Sequence, residues 1–125
     1  MLTWTQFEGQ APALAAVGHA QFYQHNIGLG FLATVRRDGR YSLHTEMFPP
    51  PREDDGFAVT GRAREETDRE TWTVVRDQVI KDFGELWPNY DDLTLFELTI
   101  ASALLTLTQP AQDFPKGPTI WKSPS

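Results

Sequence analysis

The sequence predicts one α+β domain over residues 1–125, an antiparallel sheet of about five to six strands with two helices. Three observations carry this. Apolar residues recur at helical spacing over residues 11–25 and again from Trp72. At Leu29 the period changes from helical to alternating, and Asp38-Gly39 then sits between two alternating segments, where a hairpin turn is required.

Leu14, Val17, Gly18, Gln21 and Phe22 fall on one helical face, and Pro12 stands near the start, where its missing N–H costs nothing. Asn26 and Gly28 are suited to end this helix, since both tolerate the left-handed conformation. From Leu29, Phe31, Ala33 and Val35 alternate with Leu32, Thr34 and Arg36 as a strand. Arg37-Asp38-Gly39-Arg40 makes the turn, and the return strand runs from Tyr41 to Phe48 with faces less clearly divided.

Pro49, Pro50 and Pro51 stop that strand, and Arg52 to Asp55 form a charged loop. The third strand starts at Phe57. It puts Phe57, Val59, Gly61 and Ala63 on an apolar face and Ala58, Thr60, Arg62 and Arg64 on a polar one.

Thr67-Asp68-Arg69-Glu70 fits a capping box, opening a second helix to about Phe83. Its stripe is Trp72, Val75, Val79, Phe83 and Leu86, with Asp77 and Lys81 paired on the far side and Gly84 as the C-terminal cap. After a WPNYDD turn, Leu93 to Ile100 and Ala103 to Thr108 read as two further strands paired as neighbours. Residues 109–125, with Pro110, Pro115, Pro118 and Pro124, read as an irregular tail in which Thr119 to Lys122 is a short docking segment.

Composition narrows function by exclusion. The chain contains no cysteine, so a disulfide framework, a thiolate metal site and a cysteine nucleophile are out, and a reducing compartment fits. Seventeen acidic against eleven basic side chains give a net charge of −6, which opposes a nonspecific grip on nucleic acid or anionic lipid. No apolar run approaches the roughly 18 residues of a membrane span and no leader pattern opens the chain, so a cytoplasmic location is expected.

Motifs for hydrolysis or nucleotide-triphosphate binding are missing. Gly28 to Ala33 satisfies GxGxxA, yet a dinucleotide site needs a strand before the glycines and a helix after, the reverse of the order here. His19 and His25 point in different directions on their helix and predict no metal site. His44 shares a strand face with Glu46 and is available to orient a ligand, although a structural histidine is the simpler reading.

Arg36, Arg37 and Arg40 surround the hairpin turn, where guanidinium groups can hold a phosphate through paired hydrogen bonds or can simply be solvated. Arg62 and Arg64 on the third strand admit the same two readings. Trp121 with Lys122 offers a ring to stack on a flat ligand and a charge to neutralise it; the alternative is an aromatic anchor for the tail. No catalytic constellation is visible.

In order, GLGFLATVRRDGR, RYSLHTEMFPPPREDDGFAVTGRARE, the Trp72 helix, and LFELTIASALLTLT with IWK resemble the pyridoxamine 5′-phosphate oxidase-like proteins, small actinobacterial-type members in particular. The resemblance covers most of the chain, and FLATVRRDG, RYSLHT and FAVTGRA carry it. It implies a dimeric split β-barrel that binds flavin mononucleotide (FMN), or in some branches a deazaflavin, at the subunit interface. The implied activity is that of an oxidoreductase in which the cofactor carries the redox chemistry.

The sequence also departs from the family pattern. The family places a return strand, a further hairpin and a phosphate-gripping turn between the strands like FLATV and RYSLHT, whereas here FLATV runs almost directly into RRDGRYSLHT. The positions left for a cofactor are therefore Arg36, Arg37, Arg40, His44, Arg62, Trp121 and Lys122. A second reading follows, a noncatalytic, degenerate split-barrel dimer that binds a small ligand or a partner protein. Unpaired strand edges in a shortened barrel point to a homodimer in either case.

Overall fold

The computed structural model of the protein describes residues 1–23, 31–35, 37–45, 55–84, 90–92 and 94–124. Its elements run α1 (Trp4–Gln10), α2 (Pro12–Phe22), β1 (Phe31–Val35), β2 (Arg40–His44), β3 (Gly56–Glu65), α3 (Arg69–Phe83), a single 3₁₀ turn (Tyr90–Asp92), β4 (Phe96–Leu107) and β5 (Gly117–Lys122). The expected α+β class is observed. The five strands form one antiparallel sheet in sequence order, a plain meander with β1 and β5 at its edges. Among the described residues the sheet is open and does not close into a barrel.

Alternation decides which side of the sheet is dry. Tyr41, Phe57, Val59, Ile100, Ala103, Leu105 and Leu107 are buried on one face, and α1 and α2 cover it with Phe7, Leu14 and Ala15. Fully burying a residue the size of Phe or Leu contributes about 1.5–3 kcal/mol, so this single layer of contacts is the main source of stability. Leu14, Gly18 and Gln21 lie inward as the helical spacing predicts, and Val17 and Phe22 pack against the same cluster. Gly18 is required there. A Cβ on it would lie 2.4 Å from the Phe57 ring.

Helix α1 was not predicted. Thr3 caps it with a complete capping box, its hydroxyl accepting from the Gln6 N–H while the Gln6 side chain accepts from the Thr3 N–H. Helix α2 starts at the predicted Pro12 but is capped at Tyr23; Asn26 and Gly28 lie outside the described residues. The expected box at Thr67 shifts by one residue. Asp68 is the N-cap of α3, accepting from both the N–H and the hydroxyl of Thr71.

Gly84 caps α3 as expected, with φ of 59°. Among the described residues of the stripe, Trp72, Val75 and Val79 lie outside the core cluster. Trp72 is buried between the guanidinium groups of Arg69 and Arg76, 4.2 and 5.2 Å from its ring centre, and Val74 is 65% exposed. Asp77 pairs with Arg76 at 3.1 Å in place of the expected Lys81.

Two strand assignments are corrected. The two segments expected at 93–100 and 103–108 are one strand, β4, which pairs with β3 from Phe96 to Thr106. Leu98 and Ile100, at even positions, face the core. Beyond Ala101 the odd positions Ala103, Leu105 and Leu107 do so. The reversal is a bulge: Thr60 pairs with Ser102 and Gly61 with Ile100, leaving Ala101 unopposed.

The tail is also more ordered than its prolines imply. Gly117–Lys122 is an edge strand on β4, and Pro118 is tolerated because an edge strand leaves some N–H groups facing away from the sheet. A second register shift, between Leu32 and Thr34, interrupts the alternation expected in β1. Residues 46–54, including most of the expected charged loop, lie outside the described residues. Asp55 is buried and accepts from the N–H and hydroxyl of Thr108, tying the start of β3 to the end of β4.

Candidate functional site

The face of the sheet turned away from α1 and α2 carries the polar positions of every central strand. On β2 these are Arg40, Ser42 and His44, on β3 Thr60, Arg62 and Arg64, on β4 Glu97, Thr99, Ser102 and Thr106, and on the edge strand β5 Lys122. Register places Arg40 directly opposite Arg62 and Ser42 directly opposite Thr60. Directly opposed residues stand about 4.5–5.5 Å apart at Cβ, where like charges destabilise a sheet. Two arginines thus face each other across β2 and β3.

The partners of each cation differ. Arg64 is neutralised by Glu66 at 2.8 Å and Glu97 at 2.9 Å, which raises its pKa further through those hydrogen bonds. Arg40 is paired with Asp38 at 3.3 Å in an exposed contact worth little. Arg62 has no ion pair among the described residues.

Beside this arginine pair the hydroxyls are already organised. Ser42 Oγ and His44 Nε2 are 2.6 Å apart, and Thr60 is hydrogen-bonded to Ser102 across β3 and β4. A depression of about 480 Å³ is lined by Arg40, Ser42, Thr60, Gly61, Ala101 and Met1. At Gly61 and the bulged Ala101 the two strands approach closely: a Cβ on Gly61 would stand 1.7 Å from the Thr99 carbonyl oxygen.

Of the residues nominated from sequence, the structure brings Arg40, His44, Arg62 and Lys122 onto one face. Arg37 is exposed in the turn before Gly39, whose φ of 80° fits the Asp-Gly reading, and Arg36 lies outside the described residues. Trp121 is a correction. Its ring packs edge-on against Phe7, 4.8 Å between centres, among the core residues. Neighbours in a strand point to opposite faces, so Trp121 and Lys122 cannot act on one ligand.

Sequence reasoning passed over Ser42 and Thr60, because hydroxyl residues in a strand carry no motif and gain meaning only from what register sets opposite them. It also missed a cleft on the covered side. A cavity of about 510 Å³ opens between α1, α2 and the sheet, floored by Tyr41, Val59 and Ile100. Tyr41 is buried there, its hydroxyl donating to the Thr99 carbonyl at 3.1 Å, and burial pushes its pKa up to about 12.

No family model matches the chain, and neither a curated protein nor a solved structure matches it.

Proposed function

We propose that this domain binds a phosphate-bearing small molecule of the FMN or deazaflavin class on the open face of its sheet. The observation that carries the reading is the opposition of Arg40 and Arg62 beside the Ser42 and Thr60 hydroxyls. Charge-assisted bonds from two guanidinium groups to one phosphate relieve their repulsion and fix its position. The resemblance of FLATVRRDG, RYSLHT and FAVTGRA to flavin-binding split barrels supplies the cofactor class. A bound flavin would supply oxidoreductase chemistry, and the chain's own residues would hold and orient it.

The residues fit the phosphate end of such a ligand better than its ring. Trp121, the expected platform, is turned into the core against Phe7. That observation favours a second reading, a noncatalytic split-barrel-like module whose ligand need only carry a phosphate. Both readings include a homodimer in which a second copy completes a split barrel, since β1 and β5 are sheet edges and Leu104 and Ile120 are exposed as a cross-strand pair on the open face. Light scattering that shows a stable monomer at micromolar concentration refutes the dimer.

Calorimetric titration with FMN, riboflavin and naphthyl phosphate separates the readings. The flavoprotein reading expects FMN to bind about tenfold or more tightly than riboflavin, and Arg62→Gln to remove that margin. Naphthyl phosphate binding as well as FMN favours the noncatalytic module. Failure of both phosphates to bind, or binding indifferent to Arg62→Gln, overturns the site.

A further inference from the structure

The cleft on the covered face has a different chemistry. Its floor is the buried trio Tyr41, Val59 and Ile100, and its walls include Trp4 and Phe22, which meet edge-on at 6.4 Å. Its volume of about 510 Å³ lies within the range usual for small-molecule sites. At the mouth, His19 stacks on Tyr23 with ring centres 4.3 Å apart, and Glu8 also lines the cavity. Among the described residues, Glu8 is exposed without an ion pair and no lysine or arginine lines the cleft.

Aromatic rings carry negative potential over their faces, and an unpaired carboxylate at the rim adds to the same sign of potential. An apolar chamber so arranged selects a cation with an apolar body and works against an anion. This is the reverse of the open face, where arginines gather.

We propose that the cleft between α1, α2 and the sheet is a second ligand site, taking a compact aromatic or branched-alkyl ammonium with its charge toward Glu8. The cation's body displaces water from the floor over Tyr41 and Val59, while its nitrogen stays at the wet rim between Glu8 and the ring faces.

Three probes of similar shape and different charge test this on the intact chain: 1-naphthylmethylammonium, 1-naphthalenemethanol and 1-naphthoate, titrated by calorimetry. The expected order is ammonium, then alcohol, then carboxylate, with the ammonium about fivefold or more tighter than the alcohol. Glu8→Gln, an exposed position on α1, should cut that preference to about twofold or less and leave the alcohol unchanged. Leu43→Trp should fill the cavity and weaken all three; a thermal unfolding transition shows whether it has folded, and Glu8→Gln decides the matter if it has not. Arg62→Gln should leave ammonium binding intact, which separates this site from the open face. Equal affinity for ammonium and alcohol, a preference that survives Glu8→Gln, or loss of ammonium binding in Arg62→Gln overturns the proposal.

Discussion

Gly61→Ala tests the close approach of β3 and β4 at the bulge. The added Cβ would stand 1.7 Å from the Thr99 oxygen, 2.8 Å from its carbonyl carbon and 3.2 Å from the Ala101 nitrogen. The first contact must lengthen to about twice that value to reach ordinary van der Waals separation. All three atoms are backbone, so no side chain can swing away, and β3 and β4 must part where they pair. Overpacking typically costs about 1–3 kcal/mol, and the rigid surroundings place this case at the upper end. Disturbing Thr99 also weakens the hydrogen bond that its carbonyl accepts from Tyr41, worth about 1 kcal/mol. The lower chain entropy of unfolded alanine returns at most about 1 kcal/mol, leaving a net loss of about 3 kcal/mol. With a urea slope of about 1–3 kcal/mol per molar, the unfolding midpoint should fall by about 1–3 M. A loss below about 1 kcal/mol would show that β3 and β4 do not approach as described and would refute the account of the bulge.

Gly9 has nothing within 4 Å of its Cβ position, so Gly9→Ala should raise stability by about 0.5–1 kcal/mol, whereas Gly18→Ala should lower it because its Cβ meets the Phe57 ring at 2.4 Å; paired urea melts check both signs. Tyr41 titrates near 12 in the fold against 10.0 unfolded, so the native state holds its proton more tightly. Its contribution of about 2–3 kcal/mol is present below pH 10 and is lost as pH rises through 12; the stability difference between the wild type and Tyr41→Phe should narrow or invert over that window. The Thr71 hydroxyl and N–H hold the Asp68 carboxyl below its usual range, so the cap on α3 is present above the ordinary aspartate range and lost as pH falls through the lowered value. Asp68→Ala should reduce helical circular dichroism at neutral pH and flatten its decline in acid.

The parts of the fold legible in the sequence are those fixed by local geometry. The Asp38-Gly39 turn, the two faces of β3 and the span of α3 each follow from neighbours within a few residues. Helix α1 was equally legible, since Thr3-x-x-Gln6 is the same signature sought at Thr67, but it opens a helix of only seven residues without a long apolar stripe to draw attention. The Trp72 stripe misled in the opposite direction. Periodicity states that a face is apolar, not what covers it, and the guanidinium groups of Arg69 and Arg76 lie over the Trp72 ring. Trp121 and Lys122 looked like a site because they are adjacent in sequence, and a strand separates such neighbours.

The candidate site was the least legible part, and a single unopposed residue explains why. Ala101 reverses the inward phase of β4, so the sequence reads as two strands when the chain forms one. The same bulge sets the neighbours of the arginines. Beyond it, Arg62 falls opposite Thr99 and Arg64 opposite Glu97, which neutralises Arg64. On the other side of β3, Arg62 meets a second arginine, Arg40. Two arginines two residues apart on one strand face are equivalent in the sequence. Register alone makes one an ion-pair partner and leaves the other facing like charge, which is why the proposed anion site centres on Arg62 and not on Arg64.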